Sequence, residues 1–522
     1  MIKNILEYFE NTVKIKSNKI AVVDGDRKIV FAELAGKARS VGSALFNKSG
    51  KAKKKPIAVF LPKSIESIIA DIGIVYSGNA YMNLDIKTPL ERISNILKLV
   101  EPLFIITDTK YKNMILQIFD PEKILDINDL IVENAEHQIL LEHLETVIDT
   151  DPLCLINTSG STGTPKSVVL NHRSFIDYTT WAIEKINLSE DEIFGSLAPI
   201  VFDHSSYELC LMMVHSCTMV IIPETYTIFP VKLLQYVADM NITYIFWVPT
   251  IMVNIVNMDL LSKIPIPNVK MVWFAGEVFP TRQFNYWRNH LPNAIFVNLY
   301  GPTEITCNCT YFPIERQYED SEKIPAGKAF PGRRVILVDE EGKQVTEPGV
   351  QGEICSAGES LANGYYKEPE QTAEKFVLYP VDGTEQRMYR TGDLGSYDEE
   401  GNIVFAGRKD FQIKHMGHRI ELEEIERSMT ALDGVEKSCC VFDMEKNRIM
   451  GFYLGEKAAS DVRKQMKEKL PVYMVPTKLI QVDEMPLNKN GKTDRNYFKN
   501  YGKNKGCTLG FERSSIRKEK IL

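Results

Sequence analysis

Short apolar runs alternate with amphipathic stretches through residues 1 to about 150. Ile57-Ala58-Val59-Phe60-Leu61 is continuously apolar, the pattern of a strand buried on both faces. The stretch after it places Ile65, Ile68, Ile69 and Ile72 on one helical face. Tyr81-Met82-Asn83-Leu84 and Leu103-Phe104-Ile105-Ile106 are further strand candidates, and the alternation predicts a mostly parallel sheet covered by helices. Leu153-Cys154-Leu155-Ile156 and Val168-Val169-Leu170 flank a polar stretch and predict strand–loop–strand. Ile245-Phe246-Trp247-Val248-Pro249, Met271-Val272-Trp273-Phe274-Ala275-Gly276-Glu277 and Ile295-Phe296-Val297 predict more strands, and the ends of parallel strands are where ligand sites form.

From about residue 325 glycine and proline become denser and the strands shorten, which predicts a small β-rich subdomain. A boundary is expected at Gly407-Arg408-Lys409-Asp410, followed by a compact α+β unit. There Phe411-Gln412-Ile413-Lys414, Cys439-Cys440-Val441-Phe442 and Ile449–Leu454 are strand candidates, and Leu422, Ile425 and Met429 share a helix face. A later helix is expected to be capped by Ser460 and to end before Pro471. The fold class is thus α/β, with domains at 1–409 and 410–500 and a polar, basic tail over 501–522.

Composition narrows the function more than the fold. At 522 residues the chain exceeds one compact core, so about two to four domains or subdomains are expected. A net charge of −7 argues against a nucleic-acid binder, which needs a basic footprint. The four lysines between Lys51 and Lys55 fit a solvated loop better than a binding patch. No apolar run reaches transmembrane length, and the start lacks the apolar core of a signal peptide, so a cytoplasmic enzyme is expected. Nine cysteines occur without a Cys-x-x-Cys pair; Cys307-x-Cys309 and Cys439-Cys440 are not zinc spacings, and reduced core thiols are expected.

The polar stretch is Asn157-Thr158-Ser159-Gly160-Ser161-Thr162-Gly163-Thr164-Pro165-Lys166. Its two glycines, five hydroxyls and one lysine are what a polyphosphate needs: freed backbone N–H groups, side-chain donors and a cation. It lacks the Gly-Lys-Ser/Thr and the following helix of a Walker loop, and taken alone it fits a Ser/Thr-rich turn equally well.

Four further motifs accompany it in order: Asn298-Leu299-Tyr300-Gly301-Pro302-Thr303-Glu304, Tyr389-Arg390-Thr391-Gly392-Asp393, Gly407 to Glu421, and Pro486 to Lys492. Together the five resemble the adenylate-forming superfamily of amino-acid adenylation domains, acyl-CoA synthetases and luciferases, over most of the chain to about residue 496. Gly417 to Glu426 and Trp181-Ala182-Ile183 resemble most the amino-acid-activating branch, which includes D-alanine–carrier protein ligases.

The resemblance implies ATP and Mg²⁺ as cofactors and a reaction in two halves. A carboxylate attacks the α-phosphate of ATP and pyrophosphate leaves. A phosphopantetheine thiol then attacks the acyl carbon and AMP leaves. It implies that Thr158, Ser159, Thr162 and Lys166 hold the β- and γ-phosphates, that Tyr300 stacks on adenine with Asn298 at its amine, and that Thr303 belongs to the nucleotide site. Glu304 would hold Mg²⁺, and Asp393 would accept the ribose hydroxyls with Arg408 beside it. Lys492, with Lys166 and Glu304, would carry the chemistry, and Asp410 would be the hinge on which the C-terminal domain turns.

Matching pocket positions are Asp203, His204, Tyr207, Phe246, Trp273, Ala275, Leu299, Cys307 and Asn308. Asp203 would pair with the substrate ammonium; a helix beginning near Ser206 and capped by Asp203 is the alternative. Rings at four of the nine positions imply a small substrate such as alanine, glycine, serine or cysteine, unless they stack on an aromatic one. Ala275 and His204 depart from the D-alanine ligase pattern, which has Cys and an apolar residue there. No carrier-domain serine motif follows residue 496, so the expected partner is a phosphopantetheinylated carrier protein in trans. An acyl-CoA synthetase and a non-catalytic nucleotide-binding relative are the competing readings.

Overall fold

The computed structural model describes residues 2–132, 137–160, 165–186, 188–381, 383–444, 446–487 and 493–501. The chain folds as two compact units: Met1–Thr158 with Pro165–Asp410, and Ser159–Thr164 with Phe411–Leu522.

The first unit contains three sheets. In the nine-stranded sheet, Ile20–Asp24, Thr218–Ile221, Ile193–Ser196, Tyr244–Trp247, Met271–Ala275 and Ile295–Tyr300 run parallel in that spatial order, with antiparallel strands at both edges. The apolar runs form these strands because both faces are covered. Alternation then sorts the side chains: Phe246, Trp273 and Leu299 enter one core, while Trp247, Phe274 and Phe296 enter another. Every pocket candidate on these strands therefore lies on the same face. The seven-stranded sheet is parallel over Pro56–Val59, Ala80–Asn83, Ile105–Thr107, Ile124–Asp126 and Pro152–Thr158, and is closed by antiparallel Lys166–Asn171 and Gly364–Tyr365. The expected β-rich subdomain is a six-stranded antiparallel sheet between Arg334 and Arg408.

In the second unit the hairpin Gln412–His415 with His418–Glu421 precedes helix Leu422–Thr430, which buries Leu422, Ile425 and Met429 as the spacing predicts. A three-stranded sheet and helix Ala459–Lys469 follow. Ser460 does not cap that helix. The extended residue is Ala458, at φ −64° and ψ 142°, so Ser460 already lies in the first turn and Ala458 occupies the cap without a side-chain bond. Among the described residues the cysteines are free and buried, and no helix is long and apolar enough to cross a membrane.

Helix Ile65–Tyr76 shows how local signals set a polar residue deep in the core. Ser64 and Ser67 close a reciprocal capping box at its start, and Asp71 is buried on the helix, accepting from Asn83 Nδ2 at 3.0 Å. Its other oxygen has no hydrogen-bond partner among the described residues, and burial raises the Asp71 carboxyl to about 8. The folded chain therefore keeps a proton that the unfolded chain releases near its ordinary value. Stability from this group is full below that value and is lost as pH rises towards about 8. Asp71→Asn, uncharged at every pH, is expected to gain on wild type across this window, by at most ~1.4 kcal/mol per pH unit. Melting temperatures of the two proteins from pH 5 to 9 check this; parallel curves would assign the carboxyl an ordinary titration.

Candidate active site

On the phosphate side, Thr158 ends one strand opposite Lys166, the first residue of the next, so the strands that flank the Gly/Ser/Thr stretch pair antiparallel. Lys166 Nζ lies 5.2 Å from the ring centre of Tyr365. The short strand Gly364–Tyr365 pairs with Val168 and Val169, which brings Tyr365 alongside. Tyr365 Oη in turn donates to Glu304 Oε1 at 2.8 Å. Two residues far apart in the chain, Lys166 and Glu304, are thus both in contact with one tyrosine that sequence reasoning missed. Its signal was slight, a Gly-Tyr-Tyr after a run of small residues. Ser159 is grouped with the second unit, where its hydroxyl donates to the Arg419 carbonyl at 2.8 Å. Thr162 and Lys492 lie outside the described residues.

Glu304 is buried and offers a hard oxygen donor; no cluster of three or more acidic, histidine or cysteine ligands occurs among the described residues. That donor set suits Mg²⁺, which takes one or two carboxylates and completes its shell with phosphates and water.

On the nucleoside side, Asn298 spends its amide N–H on the Pro325 carbonyl at 2.7 Å, and its Oδ1, with no partner among the described residues, is the kind of acceptor an exocyclic amine requires. Tyr300 is buried and its hydroxyl donates to Asp393 Oδ2 at 2.6 Å. Arg408 Nη1 bonds the other oxygen of Asp393, and the same guanidinium grips Asp410 twice, at 2.6 and 2.7 Å. Tyr300, Asp393, Arg408 and Asp410 thus form one chain of charge-assisted bonds. Gly392, at φ +74°, is required beside it, since a Cβ would meet Arg408 Nη2 at 2.9 Å. Asp393 keeps unused lone pairs for ribose hydroxyls, since a carboxylate has about four acceptor sites.

On the acyl side, helix Asp203–His215 begins at Asp203 itself, with Phe202 at the cap, rather than near Ser206. Asp203 Oδ1 accepts from the His204 N–H at 2.8 Å and Oδ2 from the Cys307 N–H at 3.1 Å, while the Thr303 side chain also bonds to it. Thr303 thus stands beside Asp203 and directly precedes Glu304. The Cys307 N–H reaches Asp203 through a tight bend in which Thr306 and Cys307 stand at φ +55° and +61°. For β-branched Thr306 that conformation is costly, and its hydroxyl is tied to the Ser360 carbonyl at 2.9 Å. Burial raises the Asp203 carboxyl, and the Cys307 N–H and the His204 ring only partly offset this. No lysine or arginine pairs with Asp203 among the described residues.

Tyr207 and Trp273 are fully buried and stack at 6.5 Å between ring centres. Phe246 meets Trp273 edge-on at 5.6 Å, and Trp273 lies 6.1 Å from Trp181, which stacks on Phe330 at 3.7 Å. Ala275 pairs in register with Leu299 on the adjacent strand. Asn308 accepts from the Tyr178 hydroxyl at 2.8 Å, and its carbonyl accepts from buried Arg333 at 2.5 Å. The rings are packed on one another.

Comparison with known proteins places these features in a family. A profile described as AMP-binding enzyme matches residues 9–366, and one described as AMP-binding enzyme C-terminal domain matches residues 424–492. The chain is 30% identical to the D-alanine--D-alanyl carrier protein ligase of Listeria innocua, over 90% of this chain and 93% of that protein. It is 31% identical to tyrocidine synthase 2 of Brevibacillus parabrevis over 94% of its own length but spans only 13% of that protein. In fold it resembles the Vibrio cholerae adenylation domain AlmE, solved with glycyl-adenosine-5'-phosphate, with a TM-score of 0.81, 18% identity and coverage of 97% of this chain and 98% of that one.

Proposed function

The chain belongs to the AMP-binding enzyme family, and from that premise we propose that it activates a small amino acid as its aminoacyl-adenylate and passes it to the phosphopantetheine thiol of a carrier protein in trans. The observation that carries the amino-acid assignment is Asp203: a carboxylate in a ring-walled site, raised by burial and held by backbone N–H groups, with no cationic partner among the described residues. A substrate ammonium supplies that partner. The small size of the substrate is supported by the mutual packing of Tyr207, Phe246 and Trp273.

In this reading Thr158, Ser159, Thr162 and Lys166 bind the outer phosphates, Asn298 and Tyr300 the base, and Asp393 with Arg408 the ribose. Asp203 orients the amino acid so that its carboxylate oxygen attacks the α-phosphorus, and pyrophosphate departs. Glu304 would hold Mg²⁺, which neutralises phosphate charge. The thiol sulfur of the carrier then attacks the acyl carbon and AMP departs.

Amino-acid-dependent exchange of pyrophosphate into ATP tests the first half. Exchange driven by fatty or aryl acids and by no amino acid would reject the assignment. Asp203→Ala is expected to lower kcat/KM for the amino acid by ~10²–10³-fold, since removing one partner of a buried ion pair strands the other. The wild-type KM should also rise as pH falls, from a pH above the ordinary carboxylate range, because protonated Asp203 no longer pairs with the ammonium. A KM that is flat down to pH 4 would place the ammonium elsewhere.

A further inference from the structure

Helix Asp203–His215 places Glu208 one turn after His204, on the same face. Glu208 is buried, and its surroundings serve no step described so far. Its Oε2 accepts from Lys63 Nζ at 2.8 Å and from the Ser196 hydroxyl, and its Oε1 lies 3.4 Å from His204 Nε2. Lys63 Nζ also donates to the Ala198 carbonyl at 2.8 Å. Burial pushes the Glu208 carboxyl up, but the Lys63 ammonium and the His204 ring outweigh it and hold it down at about 2. Lys63 is delivered by the capping box that begins at Ser64, its neighbour in the chain.

This array fixes one imidazole. The Phe246 ring meets His204 edge-on, with ring centres 3.9 Å apart, and Tyr207 stands 5.8 Å away. Nε2 is buried and faces the carboxylate at 3.4 Å without closing a full hydrogen bond, and no hydrogen bond to Nδ1 occurs among the described residues. In a neutral imidazole the nitrogen facing a carboxylate carries the proton, and the other one accepts. The Lys63 ammonium already matches the single charge of Glu208. The residue before His204 is Asp203, which the proposed function assigns to the substrate ammonium, and the imidazole packs on Phe246, one of the candidate pocket residues.

We propose that His204 is a specificity residue whose Nδ1 accepts a hydrogen bond from a hydroxyl or thiol on the substrate side chain, with Glu208 and Lys63 as positioning residues. This rests on the amino-acid reading above and narrows it: serine and cysteine fit, whereas alanine and glycine leave Nδ1 unpaired. An acidic side chain would face the charges of Asp203 and Glu208. A site built to bond a substrate hydroxyl discriminates strongly against the analogue that lacks it, because its own polar group is left without a partner.

Pyrophosphate exchange by the full chain with serine, cysteine, alanine, glycine and aspartate is the test. Serine or cysteine should exceed alanine and glycine in kcat/KM by ~10-fold or more. In His204→Leu the serine-to-alanine ratio should fall towards one, and His204→Asn, which keeps a side-chain acceptor, should restore part of it. Alanine, glycine or aspartate equal to or ahead of serine and cysteine in the wild type overturns this inference and leaves the amino-acid reading standing. Exchange with no amino acid overturns both. A folded His204→Leu or His204→Asn that keeps the wild-type ratio assigns the preference to another group, and the wild-type comparison decides even if neither variant folds.

Discussion

Lys492→Ala is expected to cut adenylate formation by ~10²-fold or more while leaving transfer from supplied aminoacyl-adenylate to the thiol largely in place. Negative charge builds between the incoming carboxylate and the α-phosphate only in the first half-reaction. An ammonium that reaches both oxygens there stabilises that transition state and has no equivalent task in the second. Lys492 lies outside the described residues, so the argument stands on the motif Pro486 to Lys492 and on the C-terminal family match, which ends at Lys492 itself. Pyrophosphate exchange measures the first half, and thioester formation on a carrier protein from synthetic adenylate measures the second. Equal losses in both would assign the lysine to binding or folding instead.

The second large effect is the converse. Asp410→Pro is expected to keep adenylation and abolish thiolation. The first unit ends at Asp410 and the second resumes at Phe411, so a single backbone position joins them there. Proline fixes φ near −65° and restricts the residue before it, which removes the freedom a hinge uses. The substitution also takes a partner from Arg408, which grips the Asp410 carboxylate and bonds Asp393 as well. Asp410→Asn separates the two effects: it weakens the ion pair without touching φ, and should thiolate. A proline variant that thiolates at the wild-type rate would move the hinge away from Asp410. Run together, the lysine and proline variants should fail in opposite halves of the reaction, a pattern that general destabilisation does not produce.

Much of the architecture was legible in the chain because it follows from local periodicity. Unbroken apolar runs such as Tyr244–Trp247 and Met271–Ala275 belong in the middle of a sheet covered on both faces, and they are there. The rise in glycine and proline after residue 325 marked the antiparallel subdomain. Ser460 misled because a serine before an apolar stretch looks like a cap, while the backbone turned helical one residue earlier, at Ala459.

The motifs likewise supplied the candidate site residues through the family resemblance: a carboxylate proposed for ribose, a lysine and hydroxyls for phosphates, and a carboxylate among rings for an ammonium. What they did not contain was which groups share an atom. That Tyr365 links Lys166 to Glu304, that one guanidinium joins Asp393 to Asp410, and that Thr303 turns to Asp203 depend on strand pairing and crossovers between residues far apart in the chain. The alternation of side chains along Met271–Ala275 was visible from the start, but which core each face entered was settled by what packed against it. Glu208 and Lys63 had no motif to announce them. An ionised pair is stable in the core only when its partners are within bonding distance, and that distance exists only once the chain has folded.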